Sequence, residues 1–322
     1  MNTSILDRRE LTKLAQRKSQ VIFIYAFLVI LLIVAGSLDS SFLTIENFQN
    51  LLITALPYLL VSFAQTFIIL TGGIDLSGGA MVSLSSVICA TLFADRPELF
   101  AVTLAVSLVS GLLLGVVNGI LVTKGNVQPI IVTLSTQVII QGIALMVLDS
   151  PGGTVNADFS AAVNGLIGPI PVPLLLGIAA TVIIWIVLNR SRFGHSVLAI
   201  GGNENAAYSS GIPVTKIKII VYAIAGVMSA LAGIMLAARM YSGDPTVGVN
   251  MTNNSITTAV VGGTSLAGGK GGIIGNIAGV FILIIINNIL NLVGVSSFYQ
   301  YVVQGGILIL ALAISSIRSR RQ

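Results

Sequence analysis

Residues 190–218 read RSRFGHSVLAIGGNENAAYSSGIPVTKIK, the longest polar interior stretch that carries basic charge, and they lie between two long apolar segments. Within this stretch the sequence predicts a short helix from Glu204 to Ser210, because Asn203 can cap its N terminus and Gly211 followed by Pro213 can end it. The acidic residue at its start favours the positive end of the helix dipole. A helix of about two turns is marginal in water, since nucleation costs more than a few backbone bonds return. We therefore expect this helix to dock on another surface.

The composition is that of a membrane protein with many spans. Hydrophobic residues make up 55% of the chain and charged residues 8%, and the mean hydropathy is +1.00, values that a soluble domain does not reach. The single cysteine, Cys89, excludes an internal disulfide framework and a multi-thiol zinc site, and the lone His195 cannot build a metal cluster. We expect no bound metal. The net charge of +5 comes from basic residues beside apolar segments, as in topology determinants, so nucleic acid is not an expected partner.

Successive apolar segments predict about ten membrane crossings in a single domain that covers residues 1–322. The first segment follows the basic residues 1–19 directly and superficially resembles a signal peptide. The long basic region and the spans that follow favour an uncleaved anchor. The predicted segments, of which the eighth is short and broken, are residues 21–36, 51–70, 78–93, 99–122, 129–148, 170–188, 217–238, 255–261, 273–293 and 298–317.

The basic residues predict the orientation of these segments. Lys and Arg concentrate in cytoplasmic loops, and one helix more or fewer would move every later loop to the other side. With both termini cytoplasmic, every Lys and Arg except Arg96 and Arg239 falls inside, including those of residues 1–19 and 190–218. The opposite loops, among them the Pro- and Gly-rich residues 149–169, collect Asp39, Glu46, Asp95, Glu98, Asp149, Asp158 and Asp244. The central stretch is therefore predicted to be cytoplasmic.

Two glycine-rich motifs echo each other along the chain. Gly72–Gly79 reads GGIDLSGG and Gly262–Gly269 reads GGTSLAGG, and each motif interrupts an apolar segment. Unwound backbone can line a water-filled cavity but cannot face lipid, so paired breaks of this kind point to a transport pathway. The alternative is a pair of tight turns between helices. Both motifs fall on the same side in the predicted topology, which favours parallel repeats.

Asp75 lies within the first motif, and an ionisable group at membrane depth is a functional candidate. Its carboxylate could contact a solute. It could equally bind the backbone amides of its own turn, since Gly73 precedes it by two residues and Ser77 follows it by two. Both interpretations stay open. Ion-coupled carriers usually need several such groups in a relay, and here there is one.

Glycine recurs every four residues in two further helices. Such ridges of small residues let membrane helices approach closely, so that van der Waals contact replaces the missing hydrophobic drive. We expect packing within the same chain, with a contact between subunits as the alternative. The two ridges are Gly111, Gly115 and Gly119, and Gly271, Gly275 and Gly279.

The motifs of enzymes and of nucleotide-binding proteins are not found. A phosphate-binding loop fails here because Thr264 stands where its first glycine belongs and Gly271 occupies its Ser/Thr place. No Ser/His/Asp or Cys/His arrangement and no pair of intramembrane carboxylates is visible. Polar residues that suit the uncharged hydroxyls of sugars are plentiful, although a helix–helix hydrogen bond is the simpler explanation for any single one. They are Gln65, Thr66, Asn118, Gln137, Gln141, Asn253, Asn254, Asn287, Asn288, Asn291, Gln300 and Gln304.

Five stretches of the chain together carry a resemblance to known proteins: ILTGGIDLSGG at 69–79, AIGGNENAAYSSGI at 199–212, KIKIIVYAIAG at 216–226, AVVGGTSLAGGKG at 259–271 and NNILNLVGVSSFYQ at 287–300. In this order they resemble the membrane permease subunits of bacterial ABC importers of the ribose, xylose, galactose, allose and autoinducer-2 group. The resemblance covers nearly the whole chain. One departure is Gly78, which replaces the valine that usually follows GIDLS in that group and loosens the turn.

The resemblance implies an all-α permease of the ten-helix type of the vitamin B12 importer class, the type II architecture, located in the bacterial inner membrane. It implies that the chain has no ATPase activity and binds no cofactor, because ATP and Mg would be bound by a cytoplasmic ATPase with two fused nucleotide-binding domains. A periplasmic sugar-binding protein and a second permease chain, identical or different, would be the other protein partners in the lipid bilayer.

The resemblance also implies roles for particular residues, with residues 190–218 as the cytoplasmic coupling loop. The residues implied to couple to the ATPase are Asn203, Glu204, Asn205, Ala206, Ala207, Ser210 and Gly211. The candidates for the translocation pathway are Gly72, Gly73, Asp75, Ser77, Asn118, Gly262, Gly263, Thr264 and Asn288.

The solute is expected to be a monosaccharide, ribose-like or a related simple sugar. An importer for another small solute, such as autoinducer-2, a nucleoside or a branched-chain amino acid, is the nearest alternative. An ion-coupled secondary carrier is a more distant one.

Overall fold

A computed structural model describes the backbone of residues 3–94 and 96–320 and the side chains of residues 21–94, 96–296, 298–310 and 313. The basic side chains at both termini and Asp95, which contributed to the predicted orientation, lie outside the described residues.

Thirteen α-helices dominate the described part of the chain. They are α1 Thr3–Leu38, α2 Ile45–Leu70, α3 Gly78–Leu92, α4 Phe100–Thr123, α5 Pro129–Val147, α6 Ala157–Asn164, α7 Val172–Arg190, α8 Arg192–Gly202, α9 Glu204–Ser209, α10 Val214–Met240, α11 Val249–Val261, α12 Ile273–Leu292 and α13 Ser297–Arg320. Two 3₁₀ turns, Ser40–Leu43 and Pro97–Leu99, precede α2 and α4, and an antiparallel pair of two-residue strands, β1 Leu166–Ile167 and β2 Ile170–Pro171, precedes α7.

Within the described residues, seven helices are long and apolar enough to cross a membrane: α1, α2, α4, α5, α7, α10 and α12. The other three predicted crossings correspond to α3, α11 and α13, of which α3 has 15 residues and α11 has 13. A helix of 13 to 15 residues spans only about 20 Å, so α3 and α11 begin or end inside the bilayer. The prediction of an all-α protein with many membrane spans is confirmed.

Helix α2 lies at the centre of the bundle. Its side chains from Leu59 to Leu70 are all buried, and α10, α11, α12 and α7 pack around it. Helices at the lipid-facing periphery, such as α5 and α7, keep large apolar side chains exposed, as a bilayer requires.

The glycine ridges bring neighbouring backbones into contact within this chain, as expected, although Gly271 precedes α12 and is not part of its helical face. A Cβ atom at Gly111 would collide with the carbonyl oxygen of Gly226 in α10, and one at Gly115 with that of Tyr222. On α12, a Cβ at Gly275 would collide with the carbonyl oxygen of Gly262 at the end of α11. These close approaches replace side-chain interdigitation by backbone van der Waals contact.

Three parts of the chain contain more helix than the sequence predicted. The central stretch holds α8 in addition to the predicted short helix, because Ser191 caps an additional helix through a bond from the Gly194 amide to its Oγ at 3.0 Å. The loop 149–169 contains α6, which Asn156 caps. The broken eighth segment starts at Val249 and not at residue 255, because its polar first turns lower the hydropathy without breaking the helix.

Candidate functional site

A cavity of about 560 Å³ opens at one end of the bundle, between α2, α10, α11, α12 and α13. Helix α2 begins at this end of the bundle, and α10 and α12 end there. The cavity therefore lies at the opposite end of the bundle from α8 and α9. Amides dominate its wall, and we call it the amide cavity. Its lining residues are Asn47, Asn50, Leu51, Thr54, Tyr58, Arg239, Val247, Asn250, Met251, Asn254, Ile284, Asn287, Asn288, Asn291, Gln300, Tyr301 and Gln304.

Paired amides hold the wall of this cavity together. Asn288 of α12 donates to Asn47 Oδ1 of α2 at 2.8 Å, and Asn47 donates back to Asn288 Oδ1 at 3.2 Å. Asn47 also donates to the carbonyl oxygen of Phe42 at 3.0 Å. This reciprocal pair fixes the separation of two helices and orients both amides, so Asn288, the pathway candidate from α12, is a wall residue.

A second set of amide bonds joins α12 to α13. Gln300 Nε2 donates to Asn291 Oδ1 at 2.7 Å and to the Val295 carbonyl oxygen at 3.0 Å. Gln304 Nε2 donates to Asn287 Oδ1 at 3.0 Å. Buried polar groups need partners, and these bonds occupy the NH₂ groups of both glutamines.

Arg239 is the one charged residue in the lining of the amide cavity among the residues that the structure describes. It is partly buried in the last turn of α10, and it lines the cavity together with Tyr58. Within the described residues it makes no hydrogen bond and no ion pair. The amide cavity therefore carries a positive charge that no described carboxylate neutralises.

Some of the lining residues are among the polar residues expected from the sequence to suit a sugar: Asn254, Asn287, Asn288, Asn291, Gln300 and Gln304. Tyr58 had no predicted role, and Arg239 was predicted only as a marker of orientation. A usable signal was present in the spacing, since polar side chains recur every three or four residues near one end of each helix. The missed members of these rows are Asn47, Asn50, Thr54 and Tyr58 on α2 and Asn250 on α11.

The other polar residues named from the sequence lie elsewhere. Thr66 Oγ1 accepts a bond from Asn276 of α12 at 2.6 Å, and Gln141 donates to the Pro245 carbonyl oxygen at 2.6 Å. Gln65 is buried in α2, whereas Asn253 is exposed. Helix–helix hydrogen bonds account for Thr66, as the simpler interpretation expected.

The first glycine motif forms a non-helical segment between α2 and α3. Ser77 donates both its backbone NH and its hydroxyl to Asp75 Oδ1, at 2.7 and 2.6 Å. Asn118 of α4 donates to Ser77 Oγ at 2.9 Å. Asp75 is only 6% exposed, so the carboxylate binds its own turn, and the structure brings Asp75, Ser77 and Asn118 into one cluster away from the amide cavity.

The second glycine motif forms the turn between α11 and α12. Gly263 adopts a φ of 89°, which favours glycine, and Thr264 donates its backbone NH to the Ala259 carbonyl oxygen at 2.9 Å. Gly262 touches α12, as described above. Gly262, Gly263 and Thr264 thus lie at the end of the bundle opposite to the amide cavity.

The two glycine motifs meet at that end, and α8 covers both. The Gly269 amide donates to the Leu70 carbonyl oxygen at 3.0 Å, directly before Gly72 and Gly73. A Cβ at Gly268 would lie 3.0 Å from the Gly72 nitrogen and 3.0 Å from the Gly201 carbonyl oxygen. The end of α2, the turn before α12 and α8 therefore touch through backbone atoms.

Helix α9 forms as predicted and ends one residue earlier. Asn203 Oδ1 accepts from the Ala206 amide at 3.0 Å, and Gly211 ends the helix with a φ of 81°. Glu204 forms an ion pair with Lys218 at 2.6 Å. Ala207 is buried beneath the helix, whereas the remaining residues of the predicted coupling set are exposed: Asn203, Glu204, Asn205, Ala206, Ser210 and Gly211.

A groove beside α9 extends this exposed surface. It is a cavity of about 400 Å³ between the end of α4 and the start of α10. Lys124 and Lys216 line it together with Tyr208, whose side chain is 74% exposed. An exposed helix next to a groove with two basic residues has the form of a docking surface.

The sequence of this chain is similar to those of known transport proteins. The sequence profile of a family described as the permease component of a branched-chain amino acid transport system matches residues 47–312. The ribose import permease of Bacillus subtilis is 42% identical over 303 residues, which cover 91% of each chain. The D-allose transport system permease of Escherichia coli is 35% identical, over 92% of this chain and 91% of that protein.

A galactose/methyl galactoside import permease of Haemophilus influenzae is also 35% identical, over 92% of this chain and 94% of that protein. No solved structure matches this chain.

Proposed function

This chain belongs to the family of transport-system permease components, and from this premise we propose that it is the membrane-spanning subunit of an ATP-driven importer for a monosaccharide. The resemblance to import permeases that the sequence motifs carried is confirmed. So is the prediction of a transport subunit rather than an enzyme.

The observation that carries the proposal is the amide cavity. Sugars present hydroxyl groups that donate and accept without net charge, and amides do the same. Seven asparagines and two glutamines line a volume of about 560 Å³, which lies within the usual size of small-molecule sites. The relatives with similarity along nearly their whole length are named for ribose, allose and galactose, which supports a ribose-like or related simple sugar.

The amide cavity also separates this proposal from an amino acid importer. A branched-chain amino acid carries an ammonium group, which needs carboxylates or several free carbonyl groups around it. Among the described lining residues there is no carboxylate, and Arg239 adds a positive charge. A neutral polyol suits these surroundings better than a zwitterion.

The partners follow from this role. A cytoplasmic ATPase with two fused nucleotide-binding domains would dock on α9 and the groove beside it, and would bind the ATP and Mg. A periplasmic sugar-binding protein would deliver the sugar to the amide cavity, and a second permease chain would complete the pore. In this arrangement the chain is a single domain of the inner membrane with both termini in the cytoplasm.

Transport would proceed by alternating access. ATP binding closes the ATPase pair, and only a difference in the affinity of the ATPase for two permease conformations can drive the change between them. The residues that would transmit the closure are the exposed coupling residues Asn203–Ala206, Ser210 and Gly211. The pore would change its conformation at the two glycine motifs that contact α8.

Reconstitution tests the proposal directly. A tagged permease is purified with its associated ATPase from the cells that contain it, inserted into liposomes with the binding protein, and supplied with labelled ribose, allose or galactose. We expect uptake of at least one of these sugars that requires internal ATP and persists with an uncoupler. Uptake without ATP that an uncoupler abolishes would instead identify an ion-coupled carrier.

A further inference from the structure

The guanidinium of Arg239 has no described partner although it lies inside a helical bundle. Arg239 is partly buried near the end of α10, and it lines the cavity together with Tyr58 and the amides of α11 and α12. A charge that is removed from bulk water without a partner is costly. The position at the end of a helix offsets part of this cost through the dipole, but it leaves the donors of the guanidinium unsatisfied.

Four of the nine amides in the lining already use their NH₂ groups within the protein. The NH₂ groups of Gln300 and Gln304 donate to α12 and to the loop before α13, and those of Asn47 and Asn288 donate to each other's helices. The guanidinium of Arg239, by contrast, is a planar fork with five NH donors and no acceptor. Two adjacent acceptor oxygens at the spacing of a carboxylate or of vicinal hydroxyls match this fork.

We propose that Arg239 is the solute-anchoring residue of the amide cavity, which binds two adjacent oxygens of a sugar and excludes sugars that carry a positive charge. The inference rests on the proposed function and narrows its substrate class. Neutral sugars and sugar acids are admitted, and amino sugars are rejected at the permease itself, independently of the binding protein.

The expected size of this selection follows from the charge. The interaction of two unit charges changes a binding constant by on the order of a hundredfold when they lie about 6 Å apart and the effective dielectric constant is about 20. A sugar acid and an amino sugar of the same ring should therefore differ by at least tenfold in affinity for the amide cavity.

A matched set of ligands tests the proposal: glucose, glucuronate and glucosamine share a pyranose ring and are neutral, anionic and cationic. Their binding to the full permease chain in nanodiscs made of neutral lipid is measured by saturation-transfer NMR. For the wild-type chain we expect glucuronate and glucose to bind and glucosamine to bind at least tenfold more weakly. The substitution Arg239→Gln should remove most of the difference between glucuronate and glucosamine.

Two further variants keep the result interpretable. Arg96→Gln removes the same charge from an exposed loop outside the lining at the same end of the bundle and should leave the ranking unchanged. Arg239→Lys keeps the charge but loses the fork, so glucosamine should stay excluded while glucose binds more weakly. The anchoring role would be overturned if Arg96→Gln and Arg239→Gln lost the affinity ranking of the three ligands equally. It would also be overturned if a folded Arg239→Gln chain kept the wild-type ranking.

Uptake by the whole complex separates this inference from the proposed function. If the wild-type complex imports no monosaccharide while the binding ranking depends on residue 239, the proposed function fails and the anchoring role stands. If the complex imports a sugar and the ranking does not depend on residue 239, only the anchoring role fails.

Discussion

A single methyl group at Gly201 should disconnect α8 from the bundle beneath it. Gly201 is the next-to-last residue of α8, and a Cβ there would collide with the Leu70 carbonyl oxygen and with the Gly269 nitrogen. Those two atoms are the acceptor and the donor of the 3.0 Å hydrogen bond that joins the end of α2 to the turn before α12. Gly201→Ala therefore inserts an atom where three backbones meet.

The magnitude can be worked from these contacts. Loss of one backbone hydrogen bond costs about 1 kcal/mol, and overpacking a close contact costs about 1 to 3 kcal/mol. The better helix propensity of alanine returns at most about 1 kcal/mol. The net destabilisation of the native contact is thus about 1 to 3 kcal/mol. The neighbouring residue gives the control, because a Cβ at Gly202 meets nothing within 4 Å.

The assay compares Gly201→Ala with Gly202→Ala in the reconstituted complex. We expect the first variant to insert into the membrane, to melt at a lower temperature in detergent, and to import less sugar per ATP hydrolysed. The second should match the wild-type chain in all three measurements. If Gly201→Ala melted and transported as Gly202→Ala does, the close approach of α8 to the glycine motifs could not matter for coupling.

Further predictions concern the docking helix, the amide pair and the glycine ridge. Ala206→Cys should crosslink to the co-expressed ATPase and the buried Ala207→Cys should not, as gel shifts would show; equal crosslinking of both, or of neither while uptake is intact, would contradict the docking surface. Asn288→Leu removes both bonds with Asn47 and should lower the sugar uptake rate at least tenfold at normal insertion, whereas wild-type uptake would argue against an ordered wall. Gly115→Val should destabilise the α4–α10 contact by about 1 to 3 kcal/mol, seen as a lower melting temperature, while Gly142→Val on α5 meets nothing within 4 Å and should change it little.

Local signals predicted the parts of the structure that depend on neighbours in sequence. The cap at Asn203 and the stop at Gly211 define α9 because both act within one turn of the chain. The ridge at Gly111, Gly115 and Gly119 predicts a close helix contact for the same reason, since residues four apart share one face. The sequence could not say that α10 is the partner.

The amide cavity was only partly predictable because it is assembled from five helices. Four of these helices show a short row of polar residues, such as Asn250 and Asn254 on α11, and each row alone is compatible with a helix–helix bond. Only the convergence of the rows distinguishes a cavity wall from such bonds. The start of α11 was predicted too late for the same reason, because a hydropathy criterion does not recognise a helix whose polar face lines a cavity.

Helix α2 connects the two regions on which the proposed function depends. It contributes Asn47 and Tyr58 to the amide cavity, and its last residue, Leu70, contacts Gly269 and lies against Gly201 of α8. A helix of 26 residues is about 39 Å long, and all of its side chains from Leu59 to Leu70 are buried. We expect a displacement of α8 to reach Asn47 through this helix, and the paired bonds of Asn47 with Asn288 to pass it on to α12. Such a continuous chain of packed elements is a physical route for coupling, and it explains why Gly201 and Asn288, at opposite ends of the bundle, should both affect uptake.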